Sequence, residues 1–182
     1  MKKENFHIYI RRAVLAVIII ITAMLQNTAH LFPTIFGLRT FFLIPVVVCI
    51  SMFEKDITAA LFGAFAGMIW DTASAVGDGF NTIFLMLIGS ICGILINYLM
   101  RNNMVTALLL TSGSLFLYSI CYWLFFIVGK GVEGGGWMIF TFFLPCCAYT
   151  LVFTPLIYIS IRAFMKKLRN SLPTQRKIKK QR

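Results

Sequence analysis

The chain has 182 residues, 59 % of them hydrophobic and 13 % charged, with 17 Lys and Arg against 6 Asp and Glu. An ordinary soluble domain is roughly 45–50 % apolar and about 25 % charged, and a core of this size cannot shelter such an excess from water. The composition excludes a soluble globular domain, a disordered chain and an ordinary nucleic-acid module; the expected solvent is lipid, and the +11 charge is read first as membrane topology.

A spanning helix takes roughly 20 residues, so six would fill about 120 and leave about 60 for loops and tails. Residues 1–12, with Lys2, Lys3, Arg11 and Arg12, form a basic start. Helix 1 is expected over 13–32, with Gln26, Asn27, Thr28 and His30 towards its far end, and Pro33 and Gly37 break it. Its run AVLAVIIIITAML resembles a signal peptide, but no small-residue cleavage site follows and further spans do. Between Arg39 and Glu54 lie the uncharged residues 40–53. At 1.5 Å per residue they reach about 21 Å, short of a hydrocarbon core of about 30 Å. Arg39 must snorkel or the bilayer must thin. Pro45 stands in mid-run and removes a backbone hydrogen bond, so a kinked, protein-surrounded second helix is expected.

Helix 3 is expected over 57–77, helix 4 over 80–100 and helix 5 over 104–128. The stretch GKGVEGGG (129–136) reads as a flexible loop. Helix 6 covers 137–164, with bends expected at Pro145 and Pro155, and a basic tail occupies 165–182. The fold class expected is an all-α integral membrane bundle of six transmembrane helices over 13–164. An even number of crossings places both termini on one side. That side then holds fifteen basic residues and the other only Arg39 and Lys130, so the termini are assigned to the cytoplasm.

The five cysteines all lie in apolar runs and form no CxxC pair, so they read as small apolar side chains with no disulfide, metal site or cofactor implied. Ala59, Gly63, Gly67, Asp71 and Ala75 recur every four residues and make one stripe on helix 3. Small residues at this spacing let two helices approach closely, either within the chain or with a partner's helix. Asp71 lies 15 residues past Asp56, about 22 Å into the membrane. An intramembrane carboxylate marks a functional candidate. It also suits a wet outer vestibule, the capping of a neighbouring helix end, a hydrogen bond to helix 1 or 2, or pairing with Arg39. His30, Asp71 and Ser74 can be imagined as a catalytic set. No nucleophile elbow, HExxH or glycine phosphate loop accompanies them, so no enzyme is expected. Arg162, Lys166, Lys167, Arg169, Arg176, Lys177, Lys179, Lys180 and Arg182 give the tail nine basic residues and no acid. They suit anionic lipid, or an acidic cytoplasmic partner, ahead of nucleic acid. Trp70, Trp123 and Trp137 read as lipid-facing or interfacial packing.

The order of features resembles a known family. A basic start leads into an apolar first helix ending LQN (25–27) and a short second helix; GAFAGMIWD (63–71) then precedes GDGFNTIFLMLIGSICG (77–93). This is similar to MreD, the rod shape-determining membrane protein of bacteria, best over residues 10–100, with Gln26, Gly63, Gly67, Asp71, Gly79 and Gly89 as the matched positions. Many relatives begin helix 2 with a proline followed by a polar residue, where this chain has Gly37-Leu38-Arg39-Thr40, so no helix-2 contact is carried over. The resemblance implies a non-catalytic scaffold subunit of the cell-elongation machinery in the bacterial cell membrane. Its partners would be an MreC-like single-span coiled-coil protein, MreB, RodA and a class B penicillin-binding protein. The family fold resembles the S component of vitamin importers, which supplies the alternative of a small-molecule importer subunit. Such S components carry their small-residue spacing on helix 1, whereas here that helix is bulky and the stripe is on helix 3.

Overall fold

The computed structural model describes residues 2–27, 41–74, 79–129 and 143–170, with side chains from 8 to 167 within those stretches. They form six α-helices: α1 Lys2–Asn27, α2 Leu43–Ser51, α3 Asp56–Ala73, α4 Phe80–Ile94, α5 Met104–Tyr122 and α6 Leu144–Asn170. No strand occurs among the described residues. Among the described residues, four segments are long and apolar enough to cross a membrane: Ile8–Asn27, Phe80–Leu99, Met104–Val128 and Leu144–Lys167. This is an all-helical architecture of membrane type. Its surface is accordingly apolar, with Val17, Leu61, Ile83, Phe116, Val152 and Leu156 all at least half exposed.

Several helix limits differ from the sequence reading. The basic start is helical from Lys2, continuous with α1. Helix 6 runs on through Pro155 to Asn170, into the segment assigned to the tail, while Pro145 falls in its first turn, where its missing N–H leaves no gap. Both α4 and α5 end in π-helical turns, Leu95–Leu99 and Trp123–Val128, closed by bonds from Met100 N–H to the Leu95 carbonyl (2.8 Å) and from Gly129 N–H to the Leu124 carbonyl (3.0 Å).

The shortest helix is the centre of the molecule. All nine residues of α2 are buried, and it touches all five other helices. Its sequence LIPVVVCIS is apolar all round, which suits a helix with protein on every side. Nine residues rise about 13.5 Å, less than half a hydrocarbon core. Pro45 is its third residue, in the first turn, where no intrahelical partner exists for an N–H. The expected mid-helix kink is therefore replaced by a late start. Neighbouring helices supply acceptors for buried donors that have no intrahelical partner. The Leu43 N–H donates to Gln26 Oε1 of α1 (3.0 Å) and the Phe41 N–H to Thr150 Oγ1 of α6 (3.1 Å).

A second set of polar contacts closes the other end of α2. Asn102 Nδ2 donates to the Met52 carbonyl (2.7 Å), and the Tyr158 hydroxyl of α6 donates to Asn102 Oδ1 (3.0 Å). Asn97 Nδ2 donates to Asp56 Oδ1. Glu54, its side chain 1 % exposed, is clasped by Arg11 of α1. Arg11 Nη2 donates to Oε2 at 2.8 Å, and Nε lies 2.8 Å from Oε1 as an ionic contact without hydrogen-bond alignment. Arg162 lies over the Tyr158 ring, 5.8 Å from its centroid. The start of α1 and the last turns of α6 thus share one end of the bundle, and every described basic side chain belongs to that end.

Burial pushes the Glu54 carboxyl above its usual range, and the Arg11 charge pulls it back. Arg11→Gln removes that pull, so the folded-state carboxyl rises further above its unfolded value. Such a group contributes stability at pH below the unfolded pKa and loses it as pH rises through the folded pKa. The thermal stability of Arg11→Gln in detergent is expected to fall further behind the parent at about pH 8 than at about pH 4. An equal gap at both would show that the carboxyl does not depend on this arginine.

Candidate functional site

The α3 stripe and Asp71 come together on α4. The two helices run antiparallel, and their backbones touch. A Cβ on Gly63 would fall on the Leu85 carbonyl; one on Gly67 would stand 2.6 Å from the Asn81 carbonyl oxygen. From the other side, a Cβ on Gly89 would stand 2.6 Å from the Ala59 carbonyl oxygen. Ala59 is fully buried. The stripe is therefore covered by this chain's own α4 over its described length, and a partner's helix cannot occupy the same surface. Ala75 lies outside the described residues.

Asp71, in the last turn of α3, meets the first turn of α4. Its Oδ1 accepts from Asn81 Nδ2 (2.8 Å) and the Asn81 N–H (3.3 Å); its Oδ2 accepts from the Thr82 hydroxyl (2.6 Å) and the Thr82 N–H (2.9 Å). Two of these donors are first-turn amides with no intrahelical partner, and a carboxylate there also opposes the positive end of the helix dipole. Gly79, at φ +71, makes the turn into α4 that presents them. Of the roles open to Asp71, the structure shows the capping of a neighbouring helix end. Each oxygen already accepts two hydrogen bonds, which fills its acceptor capacity.

The network continues inward. The Tyr118 hydroxyl of α5 donates to Asn81 Oδ1 (2.9 Å). The Tyr118 ring is surrounded by Trp70 (5.4 Å between centroids), Phe41 (5.3 Å), Phe84 (5.2 Å) and Phe80 (5.9 Å). Trp70 is 8 % exposed and stacked on Tyr118, so it is a core residue and not the lipid-facing one expected. The chain of contacts from Asp71 through Asn81 to Tyr118 joins α3, α4 and α5, and its rings fill the space around them.

The remaining sequence candidates are dispersed. Gln26 caps α2. Lys166 and Lys167 are exposed on the last described turns of α6, beyond Arg162, and Arg169 lies on the same helix. Arg39, His30, Trp137, Arg176, Lys177, Lys179, Lys180 and Arg182 lie outside the described residues. Cys49, Cys92 and Cys146 are buried, and Cys121 and Cys147 are half-buried; none of the five is in a disulfide. Sequence reasoning did not single out Thr82, Tyr118, Glu54, Asn102 or Thr150. One signal was present: the polar pair Asn81-Thr82 opens a helix ten residues after an aspartate that closes one. No protein-family model, curated protein or solved structure matches the chain.

Proposed function

We propose that the chain is a non-catalytic scaffold of the bacterial cell-elongation machinery, as its resemblance to MreD implies, and that it binds an MreC-like single-span partner. MreB, RodA and a class B penicillin-binding protein act with it in this reading. The observation that carries it is the use of the matched positions. Gly63, Gly67 and Gly89 form the α3–α4 seam, Gly79 and Asp71 build the start of α4, and Gln26 caps α2. The residues that define the resemblance are those that hold this bundle in one shape, which is what a scaffold needs. The partner docks outside the seam, because α4 already fills it. In this reading all six helices lie in the cell membrane, with α2 a buried half-length helix, and the basic end faces the cytoplasm. The basic tail from Arg162 onward then meets anionic lipid.

The test is co-expression of the full chain with an MreC-like protein and affinity purification in mild detergent. The expected result is stoichiometric recovery of the partner. Recovery of no such partner, together with a tightly held vitamin-like molecule detected by mass spectrometry, would replace the scaffold with the importer subunit.

A further inference from the structure

We propose that the groove between α1 and α3 at the basic end binds one anionic phospholipid, its phosphate on Arg12 and an acyl chain along the groove. The groove encloses about 230 Å³ between Arg12 and Ala16 of α1 and Thr58, Leu61, Phe62 and Phe65 of α3. Arg12 and Ala16 are one turn apart, so the guanidinium stands above the gap that the small Ala16 side chain opens. Thr58, Leu61, Phe62 and Phe65 follow the i, i+3, i+4, i+7 spacing of one helix face. The wall is thus polar at its mouth and apolar along its length, the order of headgroup and tail. The volume falls below the roughly 300 Å³ of the smallest soluble-ligand pockets. It suits a length of hydrocarbon continuing into the bilayer.

Charge selects the headgroup. Arg12 donates one hydrogen bond, to Thr58 Oγ1 at 3.3 Å, and pairs with no carboxylate among the described residues. A guanidinium has five donors, so most remain for phosphate oxygens. Glu54 is buried and paired with Arg11, with Arg12 only a weaker influence on it, and Asp56 is held by Asn97 of the π-helical turn that follows α4. Lys55 is exposed three residues before Thr58 and adds to the field at the mouth. The proposal rests on the chain lying in a bilayer and is independent of the scaffold reading.

The full chain is reconstituted in nanodiscs of equal phosphatidylglycerol and phosphatidylethanolamine and extracted into mild detergent. Retained lipid is counted by native mass spectrometry on the monodisperse fraction. The parent protein is expected to retain one phosphatidylglycerol in preference to phosphatidylethanolamine. Arg12→Gln is expected to reduce that retention about fivefold, the worth of one cation at the membrane surface. Ala16→Phe fills the groove and is expected to remove retention of both lipids. A parent protein with no preference between the two, or an Arg12→Gln protein with undiminished preference, would overturn the site.

Discussion

Gly63→Leu is expected to destroy the α3–α4 seam and with it the folded bundle. The glycine has no room: any Cβ falls on the Leu85 carbonyl, which is backbone and cannot rotate away. Relief requires the two helices to separate, and their separation breaks the contacts at Gly67 and Gly89 as well. Overpacking a well-filled core typically costs about 1–3 kcal/mol, and backbone overlap puts this substitution at or above about 3 kcal/mol. The check is thermal unfolding in detergent, followed by intrinsic fluorescence, with Gly113→Leu as the control. Gly113 lies on the exposed face of α5 with open space around it, so its replacement is expected to stay within about 0.5 kcal/mol of the parent. Equal behaviour of the two variants would show that α3 and α4 do not pack as described. The outcome also bears on partner binding. A loss of co-purification in Gly63→Leu reports a broken bundle, because the residue faces α4.

Asp71→Leu is expected to cost about 3 kcal/mol, and Asp71→Asn about 1 kcal/mol. Leucine leaves the Asn81 and Thr82 amides, the Asn81 side-chain amide and the Thr82 hydroxyl without their acceptor. Asparagine keeps one oxygen, which satisfies Thr82. Its NH2 group then faces Asn81 Nδ2, a donor against a donor. Asn81 can resolve this by turning its amide over: its oxygen accepts from the new asparagine, and its nitrogen donates to the Tyr118 hydroxyl. What remains unsatisfied is the Asn81 N–H, whose bond at 3.3 Å is the longest of the four, and the Tyr118 hydroxyl proton, whose acceptor was the Asn81 oxygen. The measurement is the unfolding midpoint of each variant at the same pH. If the two variants lose the same stability, the negative charge at the α4 terminus dominates over the hydrogen bonds.

Much of this architecture was legible from local sequence. The uncharged run between Arg39 and Glu54 was too short to span, which pointed to a helix enclosed by protein, and α2 is enclosed. The small-residue stripe pointed to close helix approach, and Ala59, Gly63 and Gly67 are where it occurs. Pro45 misled, because a proline within an apolar run signals a kink as readily as a late helix start. The aromatic residues misled as well: they are scattered in sequence, and Tyr118 collects Phe41 from before α2, Trp70 from α3, and Phe80 and Phe84 from α4.

By itself the sequence determined the solvent, the places of the helices and the asymmetry of charge. Each of these is a sum of single-residue transfer energies along a local window. The tertiary structure alone decided which helix covers the glycine stripe, that Asp71 closes α4, and that Gln26 and Thr150 complete the buried start of α2. Those outcomes depend on pairings across the chain, such as Arg11 with Glu54 or Phe41 with Thr150, where one buried donor must find one acceptor. Residue type states what each group requires, and only the packed geometry determines which distant group supplies it.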